Sequence, residues 1–183
     1  TVFIIKAGAW KTAHKWVNHP EYSAIFDLIK HYRSKLRFIL VGSSNDPTTR
    51  VQLKNGIVAW DILRTSKSGS FTYYFNLMRL LFRYRPRIVI VFGLFNILPV
   101  AIYSLLSWKS KYVPVFIGEI GYYGRMKVGQ LLTDLALKTL GTVLQLSRGK
   151  ILKSFTLSRF TQKCIEKLAP SLSGKIRLTS YPI

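Results

Sequence analysis

Seven carboxylates occur among the 183 residues, and one of them, Glu119, stands in the least ordinary loop of the chain. Gly118-Glu119-Ile120-Gly121-Tyr122-Tyr123-Gly124-Arg125 follows the β-branched run Val113 to Ile117 and combines glycines, tyrosines, a carboxylate and a guanidinium. At the carboxyl end of a strand, such a loop binds hydroxyl-rich or phosphorylated groups by ring stacking, carboxylate hydrogen bonds and a bidentate arginine. Glu119 is therefore the catalytic candidate, with Gly121, Tyr122 and Arg125 as cleft-lining residues. The same residues also fit a structural loop in which Glu119 pairs with Arg125 or Lys127. A second candidate turn is Lys6-Ala7-Gly8-Ala9-Trp10, where Gly8 allows a tight turn and close approach of backbone to a ligand, or is a turn residue and nothing more. His14, between Lys11, Lys15 and Trp16, is a possible acid-base group beside that turn, though it equally fits an exposed histidine.

Several chemistries are excluded by what the spacing lacks. No Gly-x-Gly-x-x-Gly follows the first apolar run, no Gly-Lys-Ser/Thr marks a P-loop, and no Gly-x-Ser-x-Gly marks a nucleophile elbow. The single cysteine, Cys164, cannot form an internal disulfide, and no second cysteine or histidine stands near it at metal-ligand spacing. A zinc site, a secreted disulfide scaffold and any resident metal are not expected.

The elements that must position these residues read as alternating strands and helices. Strand-like runs are Val2 to Ile5, Phe38 to Val41, Ile57 to Trp60, Ile88 to Phe92, Val113 to Ile117, Phe155 to Leu157 and Ile176 to Leu178. Between them, helical stripes join Ile25, Leu28, Ile29 and Tyr32, then Phe71, Tyr74, Phe75, Met78 and Phe82, then Leu132, Leu135, Ala136, Thr139 and Val143. The connection between Phe38 to Val41 and Ile57 to Trp60 is polar and reads as a loop or a short extra ribbon. Alternation of this kind predicts an α/β fold: right-handed crossovers and a Rossmann-like parallel sheet flanked by helices on both faces, with ligands at the carboxyl ends of the strands. No linker divides the chain, so residues 1–183 are expected to form one domain. With 49% hydrophobic and 14% aromatic residues, disorder is excluded for most of the length.

Ile88 to Trp108 carries no charge and is long enough to cross a bilayer. Gly93, Asn96 and Pro99 interrupt it, and the expected arrangement is a buried strand, a turn at Gly93 and a fresh helix with Pro99 in its first turn. The lone cysteine favours a cytosolic setting, with the domain peripheral to the membrane, and the amino terminus goes directly into a strand-like run without the pattern of a signal peptide. The lack of an initial methionine suggests a trimmed chain.

Lys and Arg number 28 against 7 Asp and Glu, a formal net charge of +21. An anionic partner follows from that balance: a membrane surface, a phosphorylated substrate or nucleic acid. The basic residues cluster among aromatic ones at Arg79, Arg83, Arg85 and Arg87, around Phe82 and Tyr84, and again at Lys109 and Lys111 between Trp108 and Tyr112. Tryptophan, tyrosine and lysine together suit a membrane interface, so these six are expected to hold the domain peripherally against anionic lipid and to bring its cleft to a lipid-linked acceptor. Nucleic acid is the weaker alternative, because no helix-turn-helix, RRM or KH pattern supports it.

The succession of these pieces resembles the N-terminal domain of group 1 glycosyltransferases of the GT-B fold. Arg85-Pro86-Arg87-Ile88-Val89 looks like that family's Arg-Pro-Asp-Val-Val approach to its fourth strand, and Val113-Pro114-Val115-Phe116-Ile117 looks like its fifth. Phe155-Thr156-Leu157-Ser158-Arg159-Phe160 is similar to its strand ending in serine before a basic helix, and Lys175 to Ile183 to the closing strand. The resemblance implies one half of a GT-B fold, with a C-terminal donor-binding domain absent from this chain, and a nucleotide-sugar donor for the full-length enzyme but no cofactor in this domain. It further implies a retaining transfer to a glycan or lipid-linked acceptor, with Glu119 and Gly8 lining the cleft, where Trp10, His14 and Gly93 are expected as well. Many relatives carry histidine just after the fifth strand, where this chain has Glu119, Ile120 and Gly121. A non-catalytic basic binding module and a glycosyltransferase-like subunit without activity are the other expectations.

Overall fold

The computed structural model describes residues 1–6, 31, 38–43, 50–52, 59–65, 71–116 and 130–179. The strands are β1 (Val2–Lys6), β2 (Phe38–Ser43), β3 (Arg50–Gln52), β4 (Ala59–Thr65), β5 (Ile88–Phe92), β6 (Lys111–Phe116), β7 (Ser154–Thr156) and β8 (Ile176–Leu178). The described helices are α1 (Phe71–Tyr84), α2 (Leu94–Leu106), α3 (Gln130–Leu146) and α4 (Arg159–Leu168), with 3-10 turns at Arg148–Lys150 and Pro170–Lys175.

The strands form one sheet in the order β3-β4-β2-β1-β5-β6-β7-β8. All neighbours are parallel except β3, which pairs antiparallel with β4 at one edge and is the extra ribbon within the polar connection. From β1 the chain moves outward to β2 and β4, then returns to the other side of β1 as β5 and continues outward to β8. The order therefore reverses between β1 and β5, the position where open α/β sheets form a crevice at the strands' carboxyl ends.

Central burial explains why these runs are strands. Val2 to Ile5 are all buried, so both faces of β1 are covered. Phe3 and Ile5 share one face with Ile39 and Val41 of β2 and Val89 and Val91 of β5, and on that face they join the main apolar core. Fully burying side chains of this size contributes roughly 1.5–3 kcal/mol each. The described part of the fourth strand is Ala59–Thr65, with Ile62 and Leu63 in register with Leu40 and Val41 of β2, while Ile57 and Val58 of the apolar run lie outside the described residues.

The described helices pack side by side, α1 on α2, α2 on α3 and α3 on α4. Their buried stripes differ from those read in the sequence. In α1 the core residues are Tyr73, Leu77 and Leu81, while Phe75 and Phe82 are exposed. In α3 they are Leu140 and Leu144, while Leu135 is exposed. The stripe from Ile25 to Tyr32 lies outside the described residues.

Residues 88–108 form the strand, turn and helix expected of them, and no helix among the described residues is long and apolar enough to cross a membrane. Pro99 lies in the interior of α2 rather than in its first turn. Lacking an amide hydrogen, it cannot donate to the Phe95 carbonyl one turn earlier.

Candidate functional site

The carboxyl ends of β1 and β5 lie side by side, Lys6 in register with Phe92. The chain leaves β5 through Gly93, whose φ of 81° and ψ of 147° place it where L side chains are strained. A Cβ at this position would meet nothing within 4 Å, so backbone conformation and not space selects glycine. The Gly93 amide donates to the Val115 carbonyl of β6 at 3.1 Å, and the Gly93 carbonyl accepts from the Asn96 amide at 3.2 Å. The turn is thus tied to the neighbouring strand and to the first turn of α2.

Behind it sits a buried polar cluster. Asn96 is inaccessible to solvent; its Nδ2 donates to the Phe92 carbonyl at 2.8 Å, and its Oδ1 accepts from the Tyr73 hydroxyl of α1. Burial first, and then Tyr74 beside it, push the Tyr73 hydroxyl well above its usual pKa, so it serves as a neutral donor and not as a base. Asn96 therefore locks the end of β5 to two helices. Only tertiary contact reveals this role, since an asparagine within an uncharged run carries no sequence signal of its own.

Further along the same edge, β7 passes into α4 through Ser158. Its Oγ accepts from the Thr161 amide at 3.0 Å, a side-chain cap of the helix's first turn. Thr179 after β8 donates its amide to the Thr156 carbonyl at 2.9 Å, fastening the last strand to this corner. The strand ending in serine before a basic helix is thus present as read, with Arg159, Lys163 and Lys167 on α4. The amino ends of α2 and α4 both face the strands' carboxyl edge, where their amide groups and dipoles favour negative charge such as phosphate.

Of the residues expected to line the cleft, Gly93 is on this edge. Glu119, Gly8, Trp10, His14, Gly121, Tyr122 and Arg125 lie outside the described residues. Among the described residues no group of three His, Cys, Asp or Glu side chains is placed to hold a metal ion.

The basic residues are at the other end of the sheet. Arg79 and Arg83 are exposed on the second half of α1, Arg85 and Arg87 immediately precede β5, Lys109 precedes β6 and Lys111 begins it. The two clusters read separately in the sequence form one surface, because β5 and β6 are neighbours: the Lys111 amide donates to the Arg87 carbonyl at 2.9 Å. Ser110 Oγ reinforces the junction by bonding the Pro86 carbonyl, and the Phe82 ring meets Tyr103 edge-on at 5.2 Å. Two lysines not singled out from the sequence complete this edge. Lys150 Nζ donates to the Ser107 and Trp108 carbonyls at 3.2 and 2.8 Å, and Lys175 Nζ to the Arg148 and Ile151 carbonyls at 2.7 Å each. Their ammonium groups thus satisfy backbone carbonyls near the ends of helical segments. Because parallel strands put every amino end on one edge, this surface lies opposite the strands' carboxyl edge, and contact through it does not by itself bring that edge to a membrane.

No family profile and no curated protein matches the chain in sequence. Solved structures do match in fold. The UDP-GlcNAc 2-epimerase of Methanocaldococcus jannaschii superposes at a TM-score of 0.55 with 12% identity, covering 97% of this chain and 44% of its own. The HepE protein of Anabaena, solved with UDP and glucose, superposes at 0.61 with 9% identity, covering 100% of this chain and 44% of its own. The UDP-N-acetylglucosamine 2-epimerase of Rickettsia bellii gives 0.56 with 12% identity over 98% of this chain and 44% of its own. This chain has the fold of one Rossmann-like half of a GT-B protein, and spans about 44% of the length of these structures.

Proposed function

We propose that this chain is the acceptor-side, N-terminal half of a membrane-associated glycosyltransferase that moves a sugar from a nucleotide-activated donor to a glycan or lipid-linked acceptor. The observation that carries the reading is the match of the whole chain to one half of proteins whose names pair UDP with a sugar. The reversal of strand order between β1 and β5, with the strained turn at Gly93 beside it, supports a ligand crevice at that edge. In this reading the donor is held mainly by a second, C-terminal domain, whose helix dipole and basic groups stabilise the leaving diphosphate without an obligatory metal. This half supplies the floor for the acceptor, with Glu119 acting at the reacting centre and Gly8, Trp10 and His14 beside it.

The test is calorimetric titration with UDP- and GDP-sugars, first of this chain alone and then of the longer protein from the same gene. The chain alone is expected to bind weakly or not at all, and the longer protein to bind and turn over. Glu119→Gln in the longer protein should lower turnover strongly with little change in melting temperature. Tight, sugar-selective binding by the chain alone contradicts the division of labour, and a stability loss with normal turnover assigns Glu119 to structure. Because epimerases share the fold to the same degree, the products decide the reaction class: release of UDP into a new glycoside marks transfer, whereas a 2-epimer still joined to UDP marks epimerisation.

A further inference from the structure

We infer that the amino-terminal edge of the sheet, at β5 and β6 and the finishing turns of α1 and α2, is a docking surface for an anionic bilayer, and that it holds the domain with its crevice directed away from the lipid. The inference deepens the membrane part of the proposed function and does not depend on which sugar is transferred.

Three features of this edge point the same way. Residues 71–116 contain six basic and no acidic residues, and the fold gathers those six onto neighbouring elements. All six are exposed. Among them stand exposed apolar side chains: Trp108 is 92% and Leu106 68% exposed, and Leu105 and Phe82 also reach solvent. Cations around an exposed tryptophan and leucine fit a headgroup layer over acyl chains, where the charges meet lipid phosphate and the apolar groups enter the boundary. Phosphates of nucleic acid would use the charges but leave the leucines in water. Finally, Arg85 has a φ of 45°, a left-handed conformation at the end of α1 where glycine is the usual residue. Keeping a long cation in that strained position is explained when its charge is needed on this edge.

The orientation follows from the sheet. With the starts of β5 and β6 on the bilayer, the carboxyl ends stand away from it by the length of a five-residue strand, about 17 Å. The acceptor that reaches the crevice is then a glycan or an extended headgroup rather than a hydroxyl at the lipid surface.

The test is sedimentation of the chain with vesicles of phosphatidylcholine alone and of phosphatidylcholine with phosphatidylglycerol, at low and high ionic strength, with duplex DNA as competitor. A triple variant, Arg83→Glu, Arg87→Glu and Lys109→Glu, is compared with a triple of equal charge change elsewhere, Lys138→Glu, Arg159→Glu and Lys163→Glu, each confirmed folded by its circular dichroism melt. Each edge cation contributes about a fivefold factor, so losing three weakens binding to anionic vesicles on the order of a hundredfold; the edge triple, which also adds three repelling carboxylates, should cost at least that much and the distant triple far less. Trp108→Ser with Leu106→Ser should remove the binding that survives high salt. Equal loss in both triples overturns this surface while leaving membrane association standing. Absence of vesicle binding by the unmodified chain, equal binding to both vesicle types, or displacement by DNA overturns the membrane reading as well.

Discussion

Replacing Ser147 with alanine should expose how β6 and α3, the two elements flanking residues 117–129, are held together. Ser147 ends α3, and its hydroxyl donates to the Val143 carbonyl at 2.6 Å, which commits its one proton. The Tyr112 hydroxyl of β6, 2.6 Å from Ser147 Oγ, is therefore the donor in that contact. Both residues are fully buried. Ser147→Ala leaves the tyrosine donor buried without its acceptor, at a cost of about 1–3 kcal/mol. Tyr112→Phe costs less, about 0.5–1.5 kcal/mol, because Ser147 keeps the Val143 carbonyl. Once Tyr112 is phenylalanine no donor remains to be orphaned, and Ser147→Ala should add little. A cycle of the four proteins should thus give a coupling on the order of 1–2 kcal/mol, read from urea midpoints at unchanged slope. Each kcal/mol corresponds to about 2–4 °C in melting temperature for a chain of this size. Effects that add within about 0.5 kcal/mol would refute the donor assignment and the role of this pair.

Glycines in different settings should respond in opposite senses. Gly93→Ala is expected to destabilise by about 1–3 kcal/mol through its backbone conformation alone, so a neutral urea midpoint would contradict the strain assigned to that turn. Gly141→Ala gains about 1 kcal/mol in helix propensity, but its Cβ would lie 2.6 Å from the Leu168 carbonyl oxygen. Net destabilisation is expected, since forcing α3 and α4 apart costs about 1–3 kcal/mol; Gly149→Ala, with nothing within 4 Å, should be neutral or slightly stabilising. Burial raises the Tyr112 hydroxyl above its ordinary value, the Ser147 hydrogen bond offsetting part of the shift, and raises Tyr73 likewise. Their stabilising contribution is therefore complete below about pH 10 and is lost as pH rises beyond it, because the unfolded chain releases protons that the native state keeps. Each group steepens that loss by up to about 1.4 kcal/mol per pH unit, so Tyr112→Phe should visibly flatten the alkaline limb of the stability profile.

What the sequence determined on its own was the pattern that local chemistry enforces. Ile88–Phe92 and Ile176–Leu178 are strands with the bounds read from their β-branched runs, and Gly93 splits the long uncharged stretch because its conformation is closed to other residues. The alternation of strand and helix was enough to give parallel crossovers and a Rossmann-like sheet, while the GT-B half-fold came from the resemblance of particular stretches, such as Arg85 to Val89 and Phe155 to Phe160, to a known family. The buried stripes of α1 and α3 were beyond reach, since each helix offers more than one apolar row and only the sheet decides which row it covers. Phe75 and Phe82 were plausible core residues by spacing but are exposed, because Tyr73, Leu77 and Leu81 form the row that joins the apolar core. Asn96 gained its role only when folding brought Tyr73 and the end of β5 to it. The charge total pointed to an anionic partner, but not to where on the fold such a partner would meet the chain. Arg79 to Arg87 and Trp108 to Lys111 are more than twenty residues apart in sequence, and strand pairing alone makes them one surface. The common direction of those strands then places that surface at the end opposite the strands' carboxyl edge, because a parallel sheet sends every amino end to one edge and every carboxyl end to the other.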